Sequence, residues 1–417
     1  MTLNSQKKFK TSTIFVSNHP SAFIDPLVVG NFQWAIFHFM VRSDIFKPWL
    51  KPITWASHMV PIYRMAEDGK ESLEKNTESF REAINILKKR HNLIMFGEGY
   101  TDNVFIRSLK PIKKGPARIA FSAMVDTNWG QDILVQPTGI NYGHPKYFRG
   151  DVLLSLGDVI HLKTYKDLYL ESPAKAHTKL TREIEQSLQD QITYVKDKTL
   201  ADFVENIQII TQKGMNHFHH DDSIPLEDRY YYSKNLATFI NENYKYEDSK
   251  WQELKANLEI YFVDEQKEKI NENWVYAFAK NKSKNLAFRF LYLILLFPVF
   301  LVGLVHNLIP YLGVKIFVEK LFKRDVFWSG VKMLFGAAIF TLYNLPFIWL
   351  FHSYVYESYW LAILYFITVP AITLVISHAY FDKLIDTTKI LRTPKKSIEK
   401  FAQRREIILK KIEGMGM

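Results

Sequence analysis

Three apolar runs near the C-terminal end restrict what this chain can become: Phe290 to Leu308, Val331 to Phe351 and Tyr359 to Tyr380. Each is long enough to approach or cross the hydrocarbon core of a bilayer, roughly 30 Å thick. Lys332 sits only at the edge of the second run, and Tyr and Trp flank the later two, as expected at membrane interfaces. Those two runs read as transmembrane helices. Basic residues then suggest a path for the first. Lys280, Lys282, Lys284 and Arg289 gather at its start, and Lys315, Lys320, Lys323 and Arg324 follow it, whereas the turn Ser353 to Ser358 has neither Lys nor Arg. Three full spans would leave a basic flank on each side of the membrane, against the tendency of Lys and Arg to stay in the cytoplasm. A first run that bends back near Pro298 or Pro310, or that lies in the interface, keeps every basic segment on one side. Residues 286–381 are therefore expected to hold one re-entrant or interfacial segment plus a two-helix hairpin. The tail, 382–417, carries Ile398, Phe401, Ala402, Ile408, Leu409 and Ile412 at helical spacing among Lys and Arg. It reads as a basic amphipathic helix lying on an anionic leaflet.

The charge balance agrees with a lipid or phosphate partner. Lys and Arg number 54 against 43 Asp and Glu, a formal net charge of +11. Such an excess suits nucleic acid, an anionic membrane or a phosphorylated substrate. No nucleic-acid-binding motif accompanies it, and aromatic residues concentrate after residue 285, so no nucleic-acid partner is expected. The absence of cysteine excludes disulfides, thiol nucleophiles and Cys-based zinc sites. Met1 to Lys10 is polar and does not read as a secretory signal.

The chemistry is concentrated far from those runs, in Ser17-Asn18-His19-Pro20-Ser21-Ala22-Phe23-Ile24-Asp25-Pro26-Leu27. The preceding Thr13-Ile14-Phe15-Val16 reads as a buried strand. Asn18 is placed to cap a following helix and Pro20 to open its first turn. Pro26 biases Asp25 away from the helical region, so a broken turn is expected. Asp25 can then fold back against His19. A carboxylate on one ring nitrogen fixes the tautomer and raises the basicity of the other, which suits a general base.

Other stretches repeat the pattern of strand, tight turn and polar side chain. From about Thr77 to Arg90 the sequence is helical, with Phe80, Ala83, Ile84 and Leu87 on one face. Leu93 to Phe96 is a buried strand opening into Gly97-Glu98-Gly99, and in α/β sheets such turns border one crevice at the strand ends. Val60 to Ile62 is a short apolar run ending at Tyr63 and Arg64, where a guanidinium suits a phosphate. Lys110 to Arg118 is a basic turn around Gly115 and Pro116, and Ile133 to Val135 is a further strand, leading to Pro137. Phe37 to Trp55 is aromatic-rich and reads as core or as a wall of an apolar groove. Residues 166–285 are charged and helix-favouring, with Leu168 to Lys198 and Leu236 to Lys280 as amphipathic helices. His217 to Asp222 has metal-ligand residue types but reads as a polar loop, so no metal site is expected there.

Four blocks, His19 to Asp25, Val60 to Arg64, Ile94 to Thr101 and Val135 to Gly139, stand in the order and rough spacing of the glycerolipid acyltransferase superfamily. The chain resembles that family over about its first 165 residues. Two departures stand out: Asp25 lies six positions after His19 where most members have five, and Gly97 replaces the Pro of the usual Phe-Pro-Glu-Gly. Some glycerol-3-phosphate acyltransferases carry the longer spacing. The resemblance implies an α/β catalytic domain, 1–165, with a mixed sheet flanked by helices. A polar helical region, 166–285, the membrane region and the basic tail would follow it. It implies His19 and Asp25 as catalytic residues. Arg64, Glu98, Gly99 and Thr101 would hold the substrate, with Lys113 and Lys114 assisting. It further implies acyl-CoA or acyl-carrier protein as co-substrate, no separate cofactor, and glycerol 3-phosphate as acceptor. A lysophospholipid such as 1-acylglycerol-3-phosphate is the alternative acceptor. An anionic-lipid-binding adaptor without catalysis is the competing class. The expected location is an integral membrane protein with its catalytic domain on the cytoplasmic face.

Overall fold

The computed structural model describes residues 2–3, 11–31, 36–48, 51–63, 72–147, 149–280 and 286–417. Its contacts divide the chain into two compact units. One comprises Met1–Val204, Lys213–His217 and Asp222–Tyr244; the other comprises Glu205–Gln212, Phe218–Asp221 and Lys245–Met417.

The first unit is built on a mixed sheet. Among the described residues its strands are β1 (Thr2–Leu3), β2 (Ser12–Ser17), β3 (Phe37–Arg42), β4 (Met59–Ile62), β5 (Asn92–Phe96), β6 (Ile133–Tyr142), β7 (Val152–Leu156) and β8 (Ile160–His161). They lie in the order β1-β7-β6-β2-β5-β3-β4, with β8 pairing to β6. The inner strands β6, β2, β5, β3 and β4 run parallel, while β7 and β8 run antiparallel to β6. Alternation along β2 and β5 sends Ile14, Val16, Leu93 and Met95 to one face, and Phe15 and Ile94 to the other. This is the period-two pattern of strands buried on both sides.

The first face is covered by α3 (Ser72–Lys88), α4 (Gly115–Asp126) and α6 (Pro173–Gln191), which bring Leu87, Phe121, Leu180 and Ile184 to the larger core. The other face carries α1 (Ile24–Gly30), whose Val29 joins Phe15, Phe37 and Ile140; α2 (Lys51–Ala56) lies between β3 and β4. Within the expected polar helical region, α6 belongs to the core of the sheet.

The two long helices expected in that region are also divided. Ser172, with its side chain accepting from the Lys175 N–H and Pro173 following, separates α5 (Lys166–Glu171) from α6. Beyond α7 (Ala201–Thr211) and α8 (Leu226–Asn243), Asp248 caps α9 (Ser249–Lys267) and Asn271 caps α10 (Glu272–Ala279). Asp and Asn at these positions satisfy the helix N–H groups that have no internal partner.

The second unit contains the apolar helices: α11 (Leu286–Leu321), α12 (Trp328–Tyr354) and α13 (Tyr359–Arg392). All three are long and apolar enough to cross a membrane. The first run does not turn back as expected. α11 is one helix of 36 residues that continues through both Pro298 and Pro310. In apolar surroundings a break would strand several backbone polar groups, so a helix carries prolines more cheaply than an interruption.

α11 also does not stand as the first member of an up-down-up bundle, in which first and third helices run parallel. Its C-terminal half meets α12 in opposite sense, through Glu319–Lys332, Phe317–Phe335 and His306–Asn344. Its N-terminal half meets α13, again in opposite sense, through Arg289–Thr387, Phe300–Tyr380 and Asn307–Thr373. Since α12 and α13 meet near their shared turn, at His352–Tyr359 and Phe351–Tyr365, α11 bridges the two arms of a hairpin. Polar side chains tie the crossing. The two nitrogens of the His306 ring each lie 2.7 Å from a partner, Asn344 Oδ1 and Tyr365 Oη.

The tail likewise differs from its expected use. α14 (Lys395–Gly414) turns its apolar face onto α9 and α10, burying Phe401, Ile408 and Ile412. Lys400 pairs with Glu268, Arg404 with Asp264 and Lys411 with Glu253. Protein, not lipid, covers that face. At its centre the fully buried Glu272 accepts from Arg405 Nε at 2.7 Å and from the Tyr261 hydroxyl.

Breaking a buried ion pair from one side leaves an uncompensated charge, at a cost of about 3–5 kcal/mol. Arg405→Met should therefore lower the thermal unfolding temperature in detergent clearly. The double variant with Glu272→Leu should recover most of the loss. A single variant that melts at the native temperature would show that this pair does not hold α14 in place.

Candidate active site

The register of the central strands assembles the site. Ser17 at the end of β2 pairs with Phe96 of β5 on one side and Thr138 of β6 on the other. The turns that follow β2 and β5 therefore emerge side by side, next to the continuing β6. Asn18 does not cap a helix. Its side chain instead extends the sheet, accepting from the Ile140 N–H at 2.8 Å and donating to the Ile140 carbonyl at 3.0 Å. This fastens the start of the His19 turn to β6.

α1 begins at Ile24, so Asp25 lies in its first turn with Pro26 behind it. Proline fits there because the first helical N–H groups have no intrahelical partner. The reversal that an extended Asp25 was expected to supply comes earlier, at Ala22, whose φ of 40° places it in the left-handed region. The Ser21 N–H and the imidazole Nδ1–H of His19 both donate to Asp25 Oδ2 at 2.8 Å. The Tyr142 hydroxyl donates to Asp25 Oδ1, also at 2.8 Å. Asp25 is fully buried, while the His19 side chain keeps 18% exposure. The His19 ring stacks on Phe96 with centroids 4.1 Å apart. Binding Nδ1 to a buried carboxylate leaves Nε2 as the nitrogen able to exchange a proton.

Glu98 supports this turn. Its carboxylate accepts from the His19 backbone N–H at 2.7 Å and from the Lys110 backbone N–H at 3.2 Å. Burial pushes its pKa up, while the two N–H donors and the Lys110 ammonium pull it back. Both oxygens are therefore already engaged, and the observed contacts of Glu98 position protein groups. Gly97 has a reason to replace proline here. Its N–H donates to the Ser17 carbonyl at 3.1 Å, and a Cβ on it would stand 2.9 Å from Ile112. Gly99, at φ 78°, supplies the left-handed turn that a larger residue adopts only with strain.

An open cleft lies over His19. Glu98 and Thr101 line it, as do Lys110, Arg107 and Tyr142. Lys110 Nζ is 3.1 Å from Asp102 and lies 3.8 Å from the centroid of the Tyr100 ring. Lys113 and Lys114 are exposed and are not among the lining residues. Lys114 Nζ donates to Thr178 instead, and the Lys113 N–H to the Gly97 carbonyl. Arg64 lies outside the described residues.

Sequence reasoning missed Tyr142, the sheet-extending use of Asn18, and Lys110, which opens the basic run from which Lys113 and Lys114 were selected. It also missed a wall of the cleft formed by Ile192, Thr193 and Lys198, far from any motif block. The cluster His217 to Asp222 is used piecemeal: His217 stacks on Tyr147, His219 hydrogen-bonds Asn273, and Asp221 accepts from Tyr276. Among the described residues no three His, Asp or Glu converge on a metal-sized position.

Residues 2–141 match the family model described as Acyltransferase. The match supports the glycerolipid acyltransferase superfamily for this domain and spans about a third of the 417 residues. It ends one residue short of Tyr142. No curated protein sequence matches the chain.

Proposed function

We propose that this protein transfers a fatty acyl group from an acyl thioester, acyl-CoA or acyl-carrier protein, to a hydroxyl of glycerol 3-phosphate at a membrane. The observation that carries the reading is the imidazole of His19, bound through Nδ1 to the buried Asp25 and lining an open cleft within an acyltransferase-family domain. Nε2 takes the proton of the acceptor hydroxyl as its oxygen attacks the thioester carbonyl. The tetrahedral intermediate collapses, the C–S bond breaks, and the departing thiolate takes the proton back from His19. An ester and a free thiol result. Asp25 keeps the ring in the right tautomer and balances the transient imidazolium. The thioester is already activated, so no covalent enzyme intermediate is invoked and no separate cofactor is proposed.

Thr101 and Lys110 face the cleft and are proposed to hold the polar head of the acceptor. Arg64 keeps its proposed role as a phosphate ligand. The longer His-Asp spacing favours glycerol 3-phosphate over 1-acylglycerol-3-phosphate. The catalytic domain is placed on the cytoplasmic face, where acyl thioesters are made. In support, the sequence holds its basic residues in segments flanking the apolar helices and leaves the turn Ser353 to Ser358 without any.

Purified protein given acyl-CoA or acyl-carrier protein should acylate glycerol 3-phosphate faster than 1-acylglycerol-3-phosphate. The reverse preference would make it a lysophospholipid acyltransferase. Turnover with neither acceptor, alongside tight binding to anionic lipid, would favour the adaptor. His19→Ala should lose about a hundred- to ten-thousandfold in rate with expression unchanged. For orientation, the cysteine-free chain allows single-cysteine labelling. With α11 lying in the interface rather than crossing, an impermeant thiol reagent outside intact cells should modify Glu357→Cys and leave Ser108→Cys and Ser329→Cys unmodified. Labelling at 108 would place the catalytic domain away from its donor.

A further inference from the structure

Tyr142 closes β6 one residue past the segment that matches the family, and no motif block assigns it a task. Its hydroxyl donates to Asp25 Oδ1 at 2.8 Å, on the carboxylate oxygen that His19 does not use. The ring is buried in the core that includes Phe15, Val29 and Ile140. Its backbone is also held, because Arg107 Nη1 donates to the Tyr142 carbonyl at 2.9 Å. A hydroxyl fixed at both ends of its residue, aimed at a fully buried carboxylate, is more than filling.

We infer that Tyr142 is a positioning residue for acyl transfer, holding the Asp25 carboxylate in place and limiting how strongly that carboxylate favours a protonated His19. The inference rests on the acyl-transfer reading above.

The physical argument has two parts. First, a buried carboxylate needs donors for both oxygens. Oδ2 has the Ser21 N–H and the imidazole, while Tyr142 is the donor seen on Oδ1. Second, a hydroxyl on Oδ1 draws negative charge toward itself and away from the oxygen that faces the ring. Burial, and then the negative charge of Asp25, push the Tyr142 pKa well above its ordinary value. The hydroxyl therefore remains a donor throughout the working range. Among the described residues, the other charged or titratable groups lining the cleft at this corner are His19, Glu98 in the turn after β5, Asp102, Arg107 and Lys110 in the loop beyond it, and Lys198. None of them replaces a donor on Oδ1 when the hydroxyl is removed.

Tyr142→Phe keeps the ring and deletes only that donor. A charge-assisted hydrogen bond of this kind corresponds to about a ten- to hundredfold effect. We expect kcat to fall by that factor while KM for acceptor and donor hold. More charge then rests on Oδ2, the imidazolium is better stabilised, and the acid limb of the kcat/KM profile should move to higher pH. An unmoved acid limb would overturn the inference. If kcat fell without it and the melting temperature fell in step, Tyr142 would be packing only. A second measurement is independent of how well the single variant folds. In a His19→Ala background, Tyr142→Phe should cost no further activity, because its effect passes through His19. An additive loss would overturn the inference too. A His19→Ala protein with native turnover would instead remove the acyl-transfer reading, so the two failures are distinguishable.

Discussion

The buried carboxylate of Asp25 is the constraint around which the candidate site is arranged. An ionised group at zero exposure is tolerable only when hydrogen bonds replace its lost water. The chain supplies those bonds from three separated positions: the His19 ring, the Ser21 backbone and the Tyr142 hydroxyl. Meeting that requirement forces the other features. The chain must reverse between Ser17 and Ile24, which it does through the left-handed Ala22. β6 must run far enough to deliver Tyr142 beneath the turn, and the Asn18 bridge to Ile140 holds the two in register. Glu98 then fixes the backbone of His19 from the neighbouring strand end.

Much of this was legible in the sequence because it follows from short patterns. The apolar runs at β2 and β5, each followed by a polar or glycine turn, placed two motifs at adjacent strand ends, whereas the block Val135 to Gly139 lies within β6. The amphipathic stretch from Phe80 to Leu87 became α3. The parts that were not legible depend on contacts between distant residues. Nothing local marks Tyr142 as the partner of Asp25, since the two are 117 positions apart. The cleft wall at Ile192 to Lys198 belongs to a stretch that resembles a charged helix. Pro26 was misleading because proline is disfavoured within helices but welcome in their first turn. Glu98 was assigned to substrate by the family resemblance; it lines the cleft, and two N–H donors that the sequence did not reveal also tie it to the scaffold.

The membrane region shows the same division. Hydropathy located three apolar runs, of which the later two were read as transmembrane helices, and their order of contact could not be read from it. Pro298 and Pro310 suggested a bend, yet α11 passes through both and packs against α12 with one half and α13 with the other. The basic amphipathic pattern of α14 reads equally well as a lipid-facing helix or as one docked on protein. The decision lies in Glu272, whose buried carboxylate requires the guanidinium of Arg405. Composition could not reveal that pairing, because the residues are 133 positions apart.

The account stands or falls on the charge at position 25, and Asp25→Asn tests it most directly. Asparagine nearly preserves the shape and, with its oxygen turned toward Tyr142, still accepts from that hydroxyl. Toward His19, however, its amide would donate where the carboxylate accepts, holding the imidazole in the wrong tautomer for a base. A comparable change in a serine-hydrolase triad lowers kcat on the order of ten-thousandfold. We expect Asp25→Asn to lose acyl transfer by a similar factor, at any concentration of acceptor or thioester, with the protein still folded by thermal melting. A folded Asp25→Asn protein that transfers acyl groups at the native rate would contradict the account.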